Sequence, residues 1–193
     1  MTLLQVMPEN SPATVELRTR DSEKIAAVLA ELGVEYEQWD TVDLPLKAGQ
    51  DEVLAAYSAQ VEELKAKGGF RLVDVAALRP DPSDETYPAR AAKARGTFLD
   101  EHRHSENEVR FFVAGQGCFY LHLNSRVYAV VCEAGDLLSV PAGTTHWFDM
   151  GPVPDFVAIR FFEEEDGWVG DFTGDPIAAG FPRLDELVAE PAA

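Results

Sequence analysis

Apolar residues in the first half of the chain recur at the spacing of amphipathic helices. The first stripe contains Ile25, Val28, Leu29 and Leu32. Asp21 or Ser22 can cap the start of this helix, and Gly33 can end it. The pattern therefore predicts a helix that packs one face against a core.

A second apolar stripe predicts a helix from Glu52 to Lys67. The residues on its apolar face are Val53, Leu54, Tyr57, Val61 and Leu64. Gly68-Gly69 follows directly and is expected to end the helix. The next run, FRLVDVAAL, resembles a strand, and the prolines of RPDPSDETYP indicate a loop.

The pattern changes after Gly96, where short β-rich runs alternate with turn residues. The predicted strands are VRFFV, CFYLHL, RVYAVVC, LLSV, HWFDM and DFVAIRFF, and the turns between them are AGQG, NS, EAGD, PAGTT and GPVP. Such spacing is typical of an antiparallel sandwich or small barrel. We predict one mostly β domain: a helical and mixed part over 1–95, a barrel core over 96–165, and a tail over 166–193 that holds one short helix and then frays.

Composition narrows the possible partners and the compartment. The 193 residues suit one domain, and 16 Lys+Arg against 34 Asp+Glu give a net charge of −18. Such a surface repels nucleic acid and anionic lipid, which argues against both as partners. The chain shows no apolar run of membrane-spanning length, and its N-terminus is a poor signal peptide. We expect a cytoplasmic protein, and the charge favours a monomer.

The two cysteines, Cys118 and Cys132, lie in apolar runs that are predicted strands. Neither has a basic neighbour that would lower its thiol pKa. We interpret both as small core residues, with a disulfide as the alternative.

Half of the four histidines lie in one stretch, GTFLDEHRHSENEVRFFVAGQG. His102 and His104 are two residues apart, so on an extended strand they point to the same face. Glu108 follows after a polar triplet, and His146 begins the later run HWFDM. Three imidazoles and one carboxylate suit divalent Fe, Ni, Mn, Co, Cu or Zn better than Mg or Ca. On an octahedral ion, these four ligands would leave two positions for a substrate or water.

A His-x-His pair alone is weak evidence for a metal, and the surrounding glycines strengthen it. The first stretch reads G-x5-H-x-H-x3-E-x6-G from Gly96 to Gly115, and the second reads G-x5-P-x-G-x2-H from Gly135 to His146. Together they resemble the two motifs of the cupin family, although Met150 replaces the usual asparagine of the second. The resemblance implies a small antiparallel β-barrel, or jelly roll, with one metal ion inside, bound by His102, His104, Glu108 and His146.

Longer stretches resemble one group of cupins, the acireductone dioxygenases. The similar segments are EKIAAVLAELGVEYEQW, DEHRHSENEVRFFVAGQGCFYL, AGDLLSVPAGTTHWFDMG, AIRFF and GWVGDFTGD. They cover the chain from about Asp21 to about Glu186. The resemblance implies a dioxygenase that cleaves the acireductone 1,2-dihydroxy-3-keto-5-methylthiopentene with O2 in methionine salvage. With Fe(2+) the family forms 2-keto-4-methylthiobutyrate and formate; with Ni(2+) it forms methylthiopropionate, formate and CO.

The same resemblance suggests which residues contact the substrate. Arg110 shares the strand face of the ligand Glu108 and could bind the chelated enediolate, the alternative being an ordinary ion pair. Arg160 lies in an apolar strand, where an arginine is costly unless it is paired or functional. Phe98, Phe148 and Trp168 are candidates for the apolar wall around the methylthio tail, with core packing as the alternative.

Several roles stay open at this level. The proton acceptor is either a released Glu108 or the nearby Glu106. His122 matches neither motif, so we expect a packed or rim histidine. Cupins also include other dioxygenases or isomerases that act on enediols or β-diketones, and non-catalytic metal- or ligand-binding proteins, since fold alone does not fix function. No helix-turn-helix pattern accompanies the barrel.

Overall fold

The structure, a computed structural model, describes residues 1–189. The strands are β1 Leu3–Pro8, β2 Leu17–Thr19, β3 Glu35–Gln38, β4 Leu72–Leu78, β5 His102–Arg103, β6 Glu108–Leu123, β7 Arg126–Glu133, β8 Asp136–Val140, β9 Thr145–Asp149, β10 Phe156–Phe162 and β11 Asp171–Phe172. The α-helices are α1 Ser22–Ala30, α2 Gln50–Ala56, α3 Ser58–Gly68, α4 Tyr87–Thr97 and α5 Leu184–Ala189, and a 3₁₀ turn spans Pro176–Gly180.

The long strand β6 joins two antiparallel sheets. Its first half pairs with β8 and β10, and its second half pairs with β7 and β9. β4 and β3 extend the first sheet, whereas β1, β2, β5 and β11 extend the second. The mostly antiparallel β fold with helices in the N-terminal half is confirmed. The expected barrel is corrected in one respect, because over residues 1–189 the hydrogen-bonded sheet does not close on itself.

Within residues 1–189, three apolar clusters hold the layers together. The central cluster takes residues from both sheets and from α1, including Leu29, Phe112 and Phe148. A second cluster packs the C-terminal segment, with Leu184, against β1, β7 and β9, and a third packs α2 and α3 against β6 and β10. The inner faces of two sheets thus form the core around which the site is built.

The predicted turn AGQG is wrong, because these residues continue β6 as one strand of 16 residues. Gly115 has a φ of 72°, and a Cβ there would lie 1.8 Å from the carbonyl oxygen of Asp155. The register with β10 shifts between Val157 and Ala158. The unpaired residue of β6 is Val113, so the strand carries a β-bulge two residues before Gly115, close to where it passes from one sheet into the other.

The helical predictions are confirmed in part. Asp21 caps α1 by accepting from two backbone N–H groups, and Gly69, in the left-handed region, follows α3. The single helix predicted from Glu52 to Lys67 is wrong, because the chain breaks at the buried Tyr57 into α2 and α3. There the Tyr57 hydroxyl accepts the backbone N–H of Val42.

Four N-terminal elements lay outside the predictions, namely β1, β2, β3 and α4. β1 pairs with β7 over its whole length in the core, and α4 begins inside the predicted loop RPDPSDETYP. α4 buries only Tyr87 and Ala91, so it has no apolar stripe that periodicity could detect. The short C-terminal helix is confirmed as α5, and the predicted fraying over 190–193 falls outside the described residues. Within residues 1–189, no helix combines the length and apolar character that crossing a bilayer requires.

Candidate metal centre

Three of the predicted ligands meet in the structure. His102 lies on β5 and is the register partner of His146 on β9, and His104 follows one residue after β5. One ligand atom from each ring lies within 4.8 Å of the others, and all three side chains are buried. A two-residue strand and a neighbouring strand therefore create a three-histidine site, as the i, i+2 spacing predicts.

Backbone carbonyls fix the orientation of all three rings. The Nδ1 atoms lie 2.8 Å from the carbonyl oxygen of Asp100 for His102, 2.9 Å from that of Val169 for His104, and 2.8 Å from that of Thr144 for His146. A carbonyl only accepts, so each Nδ1 carries a proton, and Nε2 is the ring nitrogen that can bind a metal ion. Such outer contacts are typical of metal-binding histidines.

Glu108 lies at the start of β6 and reaches the same point. Its Oε2 is 2.7 Å from Nε2 of His146 and 3.4 Å from Nε2 of His104, and its Oε1 accepts from Nη2 of Arg110. Burial alone would raise the pKa of the Glu108 carboxyl, but the Arg110 charge and the two histidines hold it well below its ordinary value. Glu108 is therefore an anionic oxygen donor next to the three rings.

The donor set fits a transition metal. Burial, reinforced by the neighbouring His146, lowers the pKa of His102 to about 4, so this ring is a neutral ligand at pH 7. Burial also lowers the pKa of His104, but hydrogen bonding and charge from Glu108 outweigh it and raise the pKa overall. Lone pairs of Glu108 and His146 face each other, which requires a cation or a proton between them. Three imidazoles and one carboxylate are ligands that divalent transition metals accept.

A cavity of ≈ 660 Å³ lies beside this centre. Phe98, Arg110, Arg160 and Trp168 line it, together with the apolar residues of β4. The Phe98 ring also contacts the rings of His102 and His104, with centroids 5.1 Å and 6.2 Å apart. The structure therefore brings four of the five predicted substrate residues into one cavity next to the metal ligands.

Phe148 and Glu106 lie elsewhere. Phe148 is buried in the central cluster, 5.1 Å beneath the guanidinium carbon of Arg110, so it supports that arginine from the core side. Glu106 Oε2 accepts the backbone N–H groups of Glu163 and Glu164 at 2.9 Å and 3.1 Å. The roles of Phe148 in substrate binding and of Glu106 as a base stay predictions.

The residues predicted to lie outside the site are as expected. Cys118 and Cys132 are free and buried, which confirms the core interpretation over the disulfide. His122 is partly buried, with Nδ1 2.6 Å from Glu101 and Nε2 3.0 Å from Glu9. Burial lowers the pKa of His122, but the two carboxylates outweigh burial and raise this pKa overall.

Sequence reasoning missed two residues near the centre. Phe172 on β11 lies against the ring of His102, with centroids 5.3 Å apart. Asp74 on β4 forms a two-point ion pair with Arg160. Asp74 lies inside the apolar run FRLVDVAAL, just as Arg160 lies inside AIRFF. A charged residue in an apolar strand is costly unless it is paired or functional, so the sequence could have singled out Asp74 by the same reasoning.

The fold and the site together define a mostly antiparallel β protein that binds a metal ion through three histidines. A model described as the ARD/ARD' family matches residues 11–170. Acireductone dioxygenase 1 of Nocardia farcinica is 63% identical over 188 residues, which span 97% of this chain and 100% of the relative. Acireductone dioxygenase of Saccharopolyspora erythraea is 52% identical over 98% of this chain and 99% of its own.

A solved structure agrees with these relatives. Acireductone dioxygenase from Bacillus anthracis, with a cadmium ion in its active center, superposes with a TM-score of 0.75 at 30% identity, covering 89% of this chain and 98% of that one. The chain belongs to the ARD/ARD' family. The relatives support an enzyme of the acireductone dioxygenase type, and the cadmium ion of the solved structure supports a divalent metal here.

Proposed function

We propose that this protein cleaves acireductone, 1,2-dihydroxy-3-keto-5-methylthiopentene, with O2 in methionine salvage. The observation that carries the proposal is the three-histidine centre with an adjoining carboxylate, next to a cavity lined by two arginines and an apolar wall. The full-length relatives named acireductone dioxygenase support the same substrate.

His102, His104, Glu108 and His146 would hold one Fe(2+) or Ni(2+) ion per chain. When bound, the ion supplies Lewis acidity and an orienting template for two substrate oxygens. Four protein ligands of this kind suit both metals, and the choice selects between two product sets. Iron would give 2-keto-4-methylthiobutyrate and formate, whereas nickel would give methylthiopropionate, formate and CO.

Arg110 binds and stabilises the anionic form of the substrate. Its guanidinium is buried, with one nitrogen donating to Glu108 and the ring faces of Phe119 and Phe148 5.5 Å and 5.1 Å from its central carbon. Its Nε is buried and has no hydrogen-bond partner among residues 1–189. A buried donor without an acceptor is costly, so an incoming oxyanion that accepts from Nε would be favoured.

The apolar part of the cavity receives the methylthio tail and excludes water. Phe98 connects this wall to the histidines, and Ala76, Leu78 and Phe156 also line the cavity. Trp168, about half exposed, borders the cavity on its solvent side. Burying the tail against these side chains contributes binding free energy at about 25 cal/mol per Å² of apolar surface.

Turnover tests the proposal directly. Purified protein loaded with Fe(2+) or with Ni(2+) is mixed with acireductone in air, and the loss of the enediol absorbance is followed against metal-free protein. Chromatography of the products then separates the two product sets. Equal rates with and without metal would reject the proposal.

His104→Ala supplies the matched variant. It should lose both metal retention and turnover, whereas Cys132→Ala, in the core away from the centre, should keep both. Turnover by the His104→Ala protein would show that the reaction does not need the metal centre. Metal analysis of protein from its native host identifies the ion in use.

We also propose a cytoplasmic monomer. The net charge of −18 opposes self-association at low ionic strength. Light scattering on a sizing column at low and high salt measures the mass, and a stable dimer at low salt would contradict the proposal.

A further inference from the structure

Three charged residues form a row across neighbouring strands. Arg110 on β6 is the register partner of Arg160 on β10, and Arg160 is the register partner of Asp74 on β4. Residues directly opposite each other in antiparallel strands point to the same face of the sheet. All three side chains line the cavity beside the metal centre.

Two arginines directly opposite each other are unfavourable unless other groups compensate their charges. Here a carboxylate compensates each arginine: Glu108, on the same strand, pairs with Arg110, and Asp74, on the neighbouring strand, pairs with Arg160. Nε of Arg160 donates to Oδ1 of Asp74 at 2.8 Å, and Nη2 donates to Oδ2 at 2.6 Å. A guanidinium has five N–H donors, so three N–H groups of Arg160 are not used by Asp74.

The Asp74–Arg160 pair contributes little to stability. The Arg160 and Asp74 side chains are 24% and 41% exposed, and pairs that are open to solvent contribute at most about 1 kcal/mol. What the pair does is orient the guanidinium, because a two-point contact fixes the plane of an otherwise flexible side chain. The Phe162 ring, 5.2 Å from the guanidinium carbon, supports it further.

The proposed substrate has three oxygens on adjacent carbons, and a metal with two open positions accounts for two of them. We propose that Arg160 binds the third oxygen and that Asp74 is the positioning residue that aims Arg160 at it. This inference rests on the proposed function and deepens it. It assigns Arg110 and Arg160 different tasks, with Arg110 next to the ligand Glu108 and Arg160 one strand further along the cavity.

Two inert ligands isolate the third oxygen. Catechol has two adjacent oxygens, and pyrogallol has three on the same ring. Without O2, calorimetry on the nickel-loaded protein gives the affinity of each. A hydrogen bond to a charged donor changes affinity by about tenfold, so wild-type protein should bind pyrogallol about tenfold more tightly than catechol.

The variants then locate that preference. Arg160→Met should reduce the affinity ratio to about one, and Arg160→Lys, which keeps the charge but not the planar fork, should reduce it in part. Asp74→Asn should reduce the ratio several-fold, and Asp74→Glu should restore it in part. Because Arg160 would bind the third oxygen about equally in the ground state and in the transition state, Asp74→Asn should raise KM for acireductone more than it lowers kcat.

A matched control lies at the ends of the same two strands. Arg79 Nε donates to Asp155 at 3.0 Å, joining the residue after β4 to the residue before β10. Asp155→Asn removes an equivalent exposed charge outside the lining of this cavity and should leave the ratio at the wild-type value. Thermal melting of every variant confirms that each protein is folded.

The outcomes separate the two proposals. A wild-type ratio near one, or an unchanged ratio in Arg160→Met, overturns the assignment of Arg160 even when turnover is normal. An unchanged ratio in Asp74→Asn, or an equal loss in Asp155→Asn, overturns the assignment of Asp74. Absence of acireductone turnover with either metal in the wild-type protein rejects the proposed function itself.

Discussion

Replacing Asp149 by asparagine should destabilise the whole domain. Asp149, at the end of β9, is fully buried and accepts four N–H groups. Two come from Arg95 on α4, at 2.8 Å and 3.2 Å, and two come from the backbone of Gly151 and Leu184, at 2.9 Å and 3.1 Å. One carboxylate therefore fastens α4 and the C-terminal helix to the strand that carries His146.

The cost follows from these contacts. Asparagine has one acceptor oxygen, and its NH2 group would face N–H donors. Hydrogen bonds to a charged group contribute about 1.5–3 kcal/mol each, and breaking a buried pair by removing one partner costs about 3–5 kcal/mol. We expect a loss of about 4 kcal/mol in the free energy of unfolding, which corresponds to a fall in Tm of about 10 °C.

The assay is urea unfolding followed by tryptophan fluorescence. The matched control is Asp155→Asn, which removes the exposed partner of Arg79 and should change the free energy of unfolding by less than about 1 kcal/mol. A loss below about 1 kcal/mol for Asp149→Asn would refute the reasoning. It would mean that the four contacts are replaced at no cost.

The pH dependence provides a second test of the same residue. Burial would raise the pKa of the Asp149 carboxyl, but hydrogen bonds from Arg95, Leu184 and Gly151 outweigh it and lower the pKa below the ordinary value of 3.8. Its contribution is therefore complete above that ordinary value and is lost as the pH falls through the lower, folded-state pKa. The stability difference between wild type and Asp149→Asn should shrink on acidification; a constant difference would contradict the ionised state.

Three further predictions concern Gly115, the thiols and the metal. Gly115→Ala should lower the free energy of unfolding by about 3 kcal/mol or more, since a Cβ there would lie 1.8 Å from a backbone carbonyl oxygen. Gly143→Ala, with a similar positive φ but open space around it, should lower it by about 1 kcal/mol. Equal losses in urea unfolding would contradict the clash. Cys118 and Cys132 are buried, and burial raises the pKa of both thiols well above 9.0. A thiol reagent should therefore react with them only when the protein unfolds, and rapid labelling of the native protein would contradict their burial. Chelating the metal should lower Tm, because a ligand at 100 times its Kd stabilises the folded state by about 2.7 kcal/mol, and His104→Ala should show no such change.

The sequence determined the metal centre to a large extent. His102 and His104 need only an extended backbone to share a face, and the turn glycines bring His146 to the neighbouring strand. The cap at Asp21 and the end of α3 at Gly69 are equally local, because capping depends on a few adjacent residues. Such features follow from interactions within one turn or one strand, which residue patterns record directly.

Tertiary structure decided the rest. Gly115 in AGQG suits a turn, but β6 continues through it because it pairs with Phe156 and lies against the backbone of Asp155. α4 lacks an apolar stripe and is held by Arg95, whose partner Asp149 lies 54 residues away. The contact between Asp74 and Arg160 spans 86 residues and exists only because β4 pairs with β10. Local patterns cannot reveal such contacts, because strand order and register follow from the packing of the entire sheet.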